Sequence, residues 1–106
     1  LIQVNASGEE SKSGVDPGNA LEIVEGVEVL EGLDLRGLMT MAPFTDDQDV
    51  IRGCFRSTRD LLVRINNELG LDLGELSMGM SGDFEVAVEE GATLVRVGTA
   101  IFGDRP

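Results

Sequence analysis

Four short apolar stretches alternate with helix-like patterns along the 106 residues, and this alternation is what most constrains the fold. Residues 1–6 alternate apolar and polar, with Ile2 and Val4 on one face and Gln3 and Asn5 on the other, the period of a strand. After a loop rich in Gly, Ser and charge, Asp16-Pro17 has the form of an N-cap followed by proline at the first helical position. Ala20, Ile23, Val24, Val27 and Leu30 then recur at helical spacing as far as Gly32. The Met- and Leu-rich stretch from Leu35 to Ala42, ended by Pro43, is short enough to be a buried strand. Thr45 and Gln48 stand at capping-box spacing before the strongest helical pattern, whose stripe is Ile51, Cys54, Phe55, Leu61, Leu62, Ile65 and Leu69, with Gly70 as its stop. Glu75 to Met80 is a third strand, Gly82 to Glu90 a short helix, and Thr93 to Gly98 a fourth strand.

Strands and helices in this order call for right-handed βαβ units and a parallel sheet. An open sheet covered by helices on both faces prefers strands apolar on both sides. Here each strand keeps a small or polar parity: Gln3 and Asn5, then Ser77, Gly79 and Ser81, then Arg96 and Gly98. Ile2, Val4, Leu76, Met78, Met80, Val95 and Val97 form the opposite, apolar parity. The pattern suits a (β/α)8 TIM barrel, in which the polar parity faces the barrel interior and the active-site mouth. Four units are half of a barrel that takes about 250 residues. The chain also starts without methionine on a strand already under way, so it reads as a piece of a longer protein.

Charge narrows the partners. Eight cations stand against 20 anions, a net charge of −12 with neither Tyr nor Trp, which argues against a nucleic-acid groove built from Lys, Arg and stacking aromatics. No run approaches the roughly 18 apolar residues of a membrane helix, and no export signal is visible. A single cysteine, Cys54, and the absence of histidine leave no credible zinc ligand set. A reducing cytoplasmic setting is expected. The four methionines, Met39, Met41, Met78 and Met80, read as adaptable core filling.

Arg96 is the most informative residue. A guanidinium between Val95 and Val97 in mid-strand requires a carboxylate, a phosphate or another acceptor, so both an interior ion pair and a ligand contact satisfy it. Gly98-Thr99 follows, where glycine lets backbone N–H groups approach an anion. Ser81 stands at the strand-to-helix turn Ser81-Gly82-Asp83, where it serves either as a helix cap or as one wall of an anion site. Barrels place phosphate after their last two strands, and these two strand ends are consecutive. The only lysine, Lys12, lies in the loop Ser11-Lys12-Ser13-Gly14 beside Glu9 and Glu10, a poor setting for an imine-forming amine. Arg52, Arg56 and Arg59 share one side of the long helix and read as ordinary surface ion pairs.

The run Leu76-Ser77-Met78-Gly79-Met80-Ser81, then Gly82-Asp83-Phe84-Glu85, then Val95-Arg96-Val97-Gly98-Thr99-Ala100-Ile101-Phe102-Gly103, closely resembles the carboxyl-terminal signature of the pyridoxal phosphate homeostasis proteins, relatives of the alanine racemase barrel. Leu1-Ile2-Gln3-Val4-Asn5 with Ser11-Lys12-Ser13-Gly14, and Arg36-Gly37-Leu38-Met39, resemble that family's fifth and sixth strands in the same order. The resemblance covers nearly the whole chain, and implies that residues 1–106 are the carboxyl-terminal half of one barrel domain, strands five to eight. It further implies that pyridoxal 5'-phosphate (PLP) binds at the strand ends, with Ser81, Gly98 and Thr99 at the phosphate and Arg96 at the pyridine nitrogen. An arginine cannot accept a proton, so such a contact keeps that nitrogen unprotonated and weakens the cofactor as an electron sink. The family's cofactor-linking lysine belongs to a first strand that this sequence does not contain. The implied role is an intracellular cofactor carrier with no robust catalytic activity, handing PLP to dependent apoenzymes. The alternative is a racemase or lyase of the same barrel, which needs a tyrosine from elsewhere because this chain has none. A half-barrel that self-associates through open sheet edges is a third expectation.

Overall fold

The computed structural model describes residues 1–6, 14–30, 32–43 and 45–96. In chain order these form β1 (Ile2–Val4), a 3-10 turn (Pro17–Asn19), α1 (Ala20–Glu28), β2 (Gly37–Thr40), α2 (Gln48–Leu69), β3 (Glu75–Met80), α3 (Phe84–Glu89) and β4 (Leu94–Arg96). All three strand pairings are parallel, and the strands lie in the sheet in sequence order. Consecutive right-handed crossovers in one direction put every helix on the same side of the sheet. The core has that composition. Val4, Leu38, Leu76 and Met78 from the strands join Ala20 and Val24 of α1, Phe55 and Ile65 of α2, and Val86 and Ala87 of α3 in one buried cluster.

The other face carries Gln3, Met39 and Ser77, which stand side by side in the β1–β2–β3 register. One-sided helical cover and sequential strand order are the features of a barrel wall, not of a sheet wound on both faces.

Local chemistry explains the element ends. Asp16 does precede Pro17 at the start of the 3-10 turn, though its side chain makes no capping bond. The expected Thr45–Gln48 capping box is replaced by a neighbouring device. The N-cap of α2 is Asp47, whose carboxylate accepts from the Asp49 and Val50 amides, while Thr45 Oγ1 accepts from the Asp47 amide. A carboxylate at this position also meets the positive end of the helix dipole, which a threonine cannot match. Gly70 closes α2 at φ +67° with its amide donating to the Asn66 carbonyl, a left-handed stop that glycine takes without strain.

The α2 stripe is buried from Ile51 to Ile65 as its spacing predicts, with Leu69 half-buried at its end and Thr58 added by a hydroxyl that donates to the Cys54 carbonyl at 3.0 Å. The α1 stripe departs from expectation. Ala20 and Val24 are fully buried, but Ile23 and Leu30 are 41% and 52% exposed. Periodicity marks which residues share a face and does not say whether anything covers it.

Candidate functional site at the strand ends

The irregular part of the sheet lies where β3 leaves β2. The β2–β3 ladder ends at Met39 and Ser77. On the other side Ser77 pairs with Leu94 and Met80 with Arg96, so β3 uses one residue more than β4 over the same span, a β-bulge. Gly79, at φ +101°, makes it possible. A Cβ on Gly79 would lie 2.7 Å from the Ala87 Cβ and 3.1 Å from the Phe84 Cα, so this residue faces α3.

The bulge corrects the parity expected for the end of β3. Gly79 turns to the helices instead of the polar face, and Met80, expected to pack beneath them, is 46% exposed on the Arg96 side. Of the methionines read as core filling, only Met78 is fully buried, and Met39 and Met41 are half-buried. An extra residue reverses the alternation beyond it, which no reading of strand period anticipates.

Arg96, the last described residue of β4, is half-buried, and its guanidinium reaches past β3 to β2. One terminal NH2 donates to the Thr40 carbonyl of β2 at 3.1 Å. Thr40 lies one residue beyond the end of the β2–β3 ladder. Thr40 is fully buried and held in turn by its own hydroxyl, which donates to the Val4 carbonyl at 2.8 Å. Among the described residues no carboxylate pairs with Arg96, and its Nε is buried without a hydrogen-bond partner. Of the two roles open to this arginine, the interior ion pair is absent among the described residues. A buried donor left without an acceptor costs about 1–3 kcal/mol, so an acceptor from outside the described chain gains by arriving there.

Ser81 follows Met80 directly and therefore stands one residue beyond the Arg96 level on the adjacent strand. It does not cap α3. The N-cap is Asp83, and the Asp83 carboxylate turns back to accept from the Met80 amide at 2.7 Å while the Asp83 amide donates to the Met80 carbonyl. This reciprocal pair closes the Met80–Asp83 turn and fixes the backbone on either side of Ser81. A depression of about 230 Å³ opens beside the turn, with Gln48, Ser81, Asp83 and Glu85 in its wall. Its two carboxylates oppose an anion, and Arg96 does not line it, so the strand-end level and not this depression unites Ser81 with Arg96. Gly98, Thr99 and Lys12 lie outside the described residues.

Behind α3 is a second cluster. Glu90, only 4% exposed, receives Arg52 at 2.7 Å, Arg56 through both Nε and a terminal nitrogen at 3.1 Å, and Arg59 at 3.2 Å. The three arginines expected to make ordinary surface pairs converge instead on one buried carboxylate. Hydrogen bonds from Arg56 first, then Arg52, hold the Glu90 carboxyl down to about 2, and the same contacts raise both arginines. The arginines recur at i, i+4 and i+7 along α2, which shows that they share a face, but their common partner lies on another element.

Comparison with known proteins decides the family. The sequence matches the model of the alanine racemase N-terminal domain over residues 1–106. The chain belongs to that family. It is 48% identical over 105 residues to the pyridoxal phosphate homeostasis protein of Aquifex aeolicus, covering 99% of this chain and 46% of the relative. The protein of the same name from Pseudomonas aeruginosa is 49% identical over 104 residues, covering 98% of this chain and 44% of the relative. The chain thus spans less than half the length of these curated relatives. Among solved structures, PipY of Synechococcus elongatus with PLP bound superposes with a TM-score of 0.83 at 33% identity, covering 97% of this chain and 48% of PipY. A protein from Bifidobacterium adolescentis gives 0.89 at 48% identity, covering 96% of this chain and 42% of that protein.

Proposed function

We propose that residues 1–106 are the carboxyl-terminal half of a single alanine racemase-like barrel, its strands five to eight, and that the completed protein is an intracellular PLP carrier serving cofactor homeostasis. The observation that carries this reading is the Nε of Arg96, buried and without a partner among the described residues, on the strand beside Met80 and Ser81. A pyridine nitrogen is an acceptor without a proton, which is what that Nε lacks. Ser81, with the backbone at Gly98 and Thr99, would hold the phosphate. The names of the relatives and the PLP-bound PipY support the same cofactor.

When bound, PLP supplies an electron-withdrawing ring whose power depends on protonation of its nitrogen. Arg96 cannot accept a proton and so holds that nitrogen in its weaker form. Such a site binds and orients the cofactor without strong carbanion stabilisation, which favours a carrier that delivers PLP to dependent apoenzymes in the cytoplasm over a racemase or lyase. In the isolated half, self-association would occur through the outer edge of β4, because at the β1 edge Val15 already bonds the Gln3 carbonyl and the Asn5 amide.

The test is a PLP titration of the full-length protein followed by cofactor fluorescence. Arg96→Ala and Ser81→Ala should each weaken binding by about tenfold or more, the scale of a charge-assisted hydrogen bond, while Lys12→Ala leaves affinity unchanged. Unchanged affinity in both site variants would overturn the assignment.

A further inference from the structure

The Glu90 cluster is remote from the strand ends, yet it grips the element that follows Ser81. Helix α3 is six residues long, too short to hold a position by its own hydrogen bonds. Its first turn hangs on the Met80–Asp83 pair, and its middle rests against Gly79. Sideways, Glu90 at its C-cap is fastened by four hydrogen bonds from three arginines of α2. The neighbouring Glu89 receives one more, from Arg52 at 3.4 Å. Gly91, at φ +102°, then leads the chain out against the Arg59 side chain. The four donors fill the roughly four acceptor positions of the buried carboxylate, and all of them come from one 22-residue helix.

We infer that Glu90 is a positioning residue, and that its clamp to Arg52, Arg56 and Arg59 sets the tilt of α3 and hence the placement of the Ser81 turn against the phosphate of the bound cofactor. The inference rests on the Ser81 phosphate contact proposed above. Loosening the clamp frees α3 to tilt, and the Met80–Asp83 pair, which ties the start of the helix to the turn, passes that tilt on to Ser81. Arg96 is insulated from it. Between Glu90 and Arg96, Thr93 fastens the start of β4 to β3, its amide donating to the Leu76 carbonyl at 2.9 Å and its hydroxyl accepting from the Leu76 amide at 2.8 Å.

The insulation gives the clamp a signature that general loosening lacks. Pyridoxal has the pyridine ring without the phosphate, so a defect confined to the Ser81 turn weakens PLP and spares pyridoxal. In the full-length protein, Glu90→Gln should lower PLP affinity by about tenfold, as loss of an outer support commonly does, and leave pyridoxal within about twofold. Arg56→Lys, which keeps the charge but loses the paired geometry, should move the same ratio less and provides the reading if Glu90→Gln does not fold. Equal losses for both ligands, or no loss for either, in whichever variant folds would overturn the clamp. Ser81→Ala measured alongside separates the two levels. If it fails to discriminate PLP from pyridoxal, the phosphate contact itself is wrong; if it discriminates and the clamp variants do not, only the clamp is wrong.

Discussion

The β1–β2 half of the sheet and the β3–β4 half use parallel strands over a common core, but they solve different problems. In the first half three successive pairs, Ile2 with Leu38, Gln3 with Met39 and Val4 with Thr40, run without a break, and the Thr40 hydroxyl extends the tie to the Val4 carbonyl. In the second half the ladder slips by one residue, a glycine takes a left-handed conformation, and a buried guanidinium nitrogen is left open. Regular pairing satisfies every backbone group and leaves nothing to offer a ligand. The bulge gives up regular pairing beside Arg96, a compromise often found at functional sites.

Substitutions can break this contrast. The largest effect belongs to Gly37, where the two halves meet. A Cβ there would lie 1.8 Å from the Glu75 carbonyl oxygen, and no side-chain motion relieves a clash with backbone. Gly37→Ala in the full-length protein should lose more than about 4 kcal/mol of stability in urea unfolding, or fail to fold. Next is Gly79→Ala, which combines an unfavourable φ with overpacking against Ala87, for about 3 kcal/mol by the same measurement. If Gly79→Ala were neutral, the bulge would not be an obligate feature of the site half. Thr40→Val sharpens the comparison from the regular side. It removes the buried hydroxyl and leaves the Val4 carbonyl without that donor, which should cost about 1–2 kcal/mol and show as a lowered thermal midpoint. Smallest is Arg96→Met. Removing an orphaned donor offsets the lost bond to Thr40, so stability should change by less than about 1 kcal/mol while PLP binding falls sharply.

Much of the scaffold was legible in the sequence because it follows from period. The bounds of β3 at Glu75 and Met80, the α2 stripe from Ile51 to Ile65 and the stop at Gly70 all emerge from apolar spacing and one glycine. Arg96 was legible for a different reason, since a charge flanked by valines stands out without any knowledge of neighbours. What could not be read depends on partners distant in sequence. The slip at Gly79 is a relation between β3 and β4, although a glycine inside a strand is its usual signal. Glu90 looks like one acid among many at the end of a short helix, and nothing local says that three arginines more than thirty residues earlier meet there. Thr40 was hidden for the opposite reason, because it acts on Arg96 through a backbone carbonyl that every residue possesses.

The pairings also carry a kinetic consequence. The Thr40 hydroxyl bonds the Val4 carbonyl across 36 residues of chain, whereas the Thr93 hydroxyl meets the Leu76 amide across only 17. Closing the shorter loop costs about 0.6 kcal/mol less entropy, and contacts close in sequence form earlier. The β3–α3–β4 unit is therefore the expected nucleus of this segment. Destabilising changes inside it should slow refolding, while those at the β1–β2 pairing should instead speed unfolding. On this view the part of the chain that carries the proposed site is also the first to take shape, before the more regular strands have found each other.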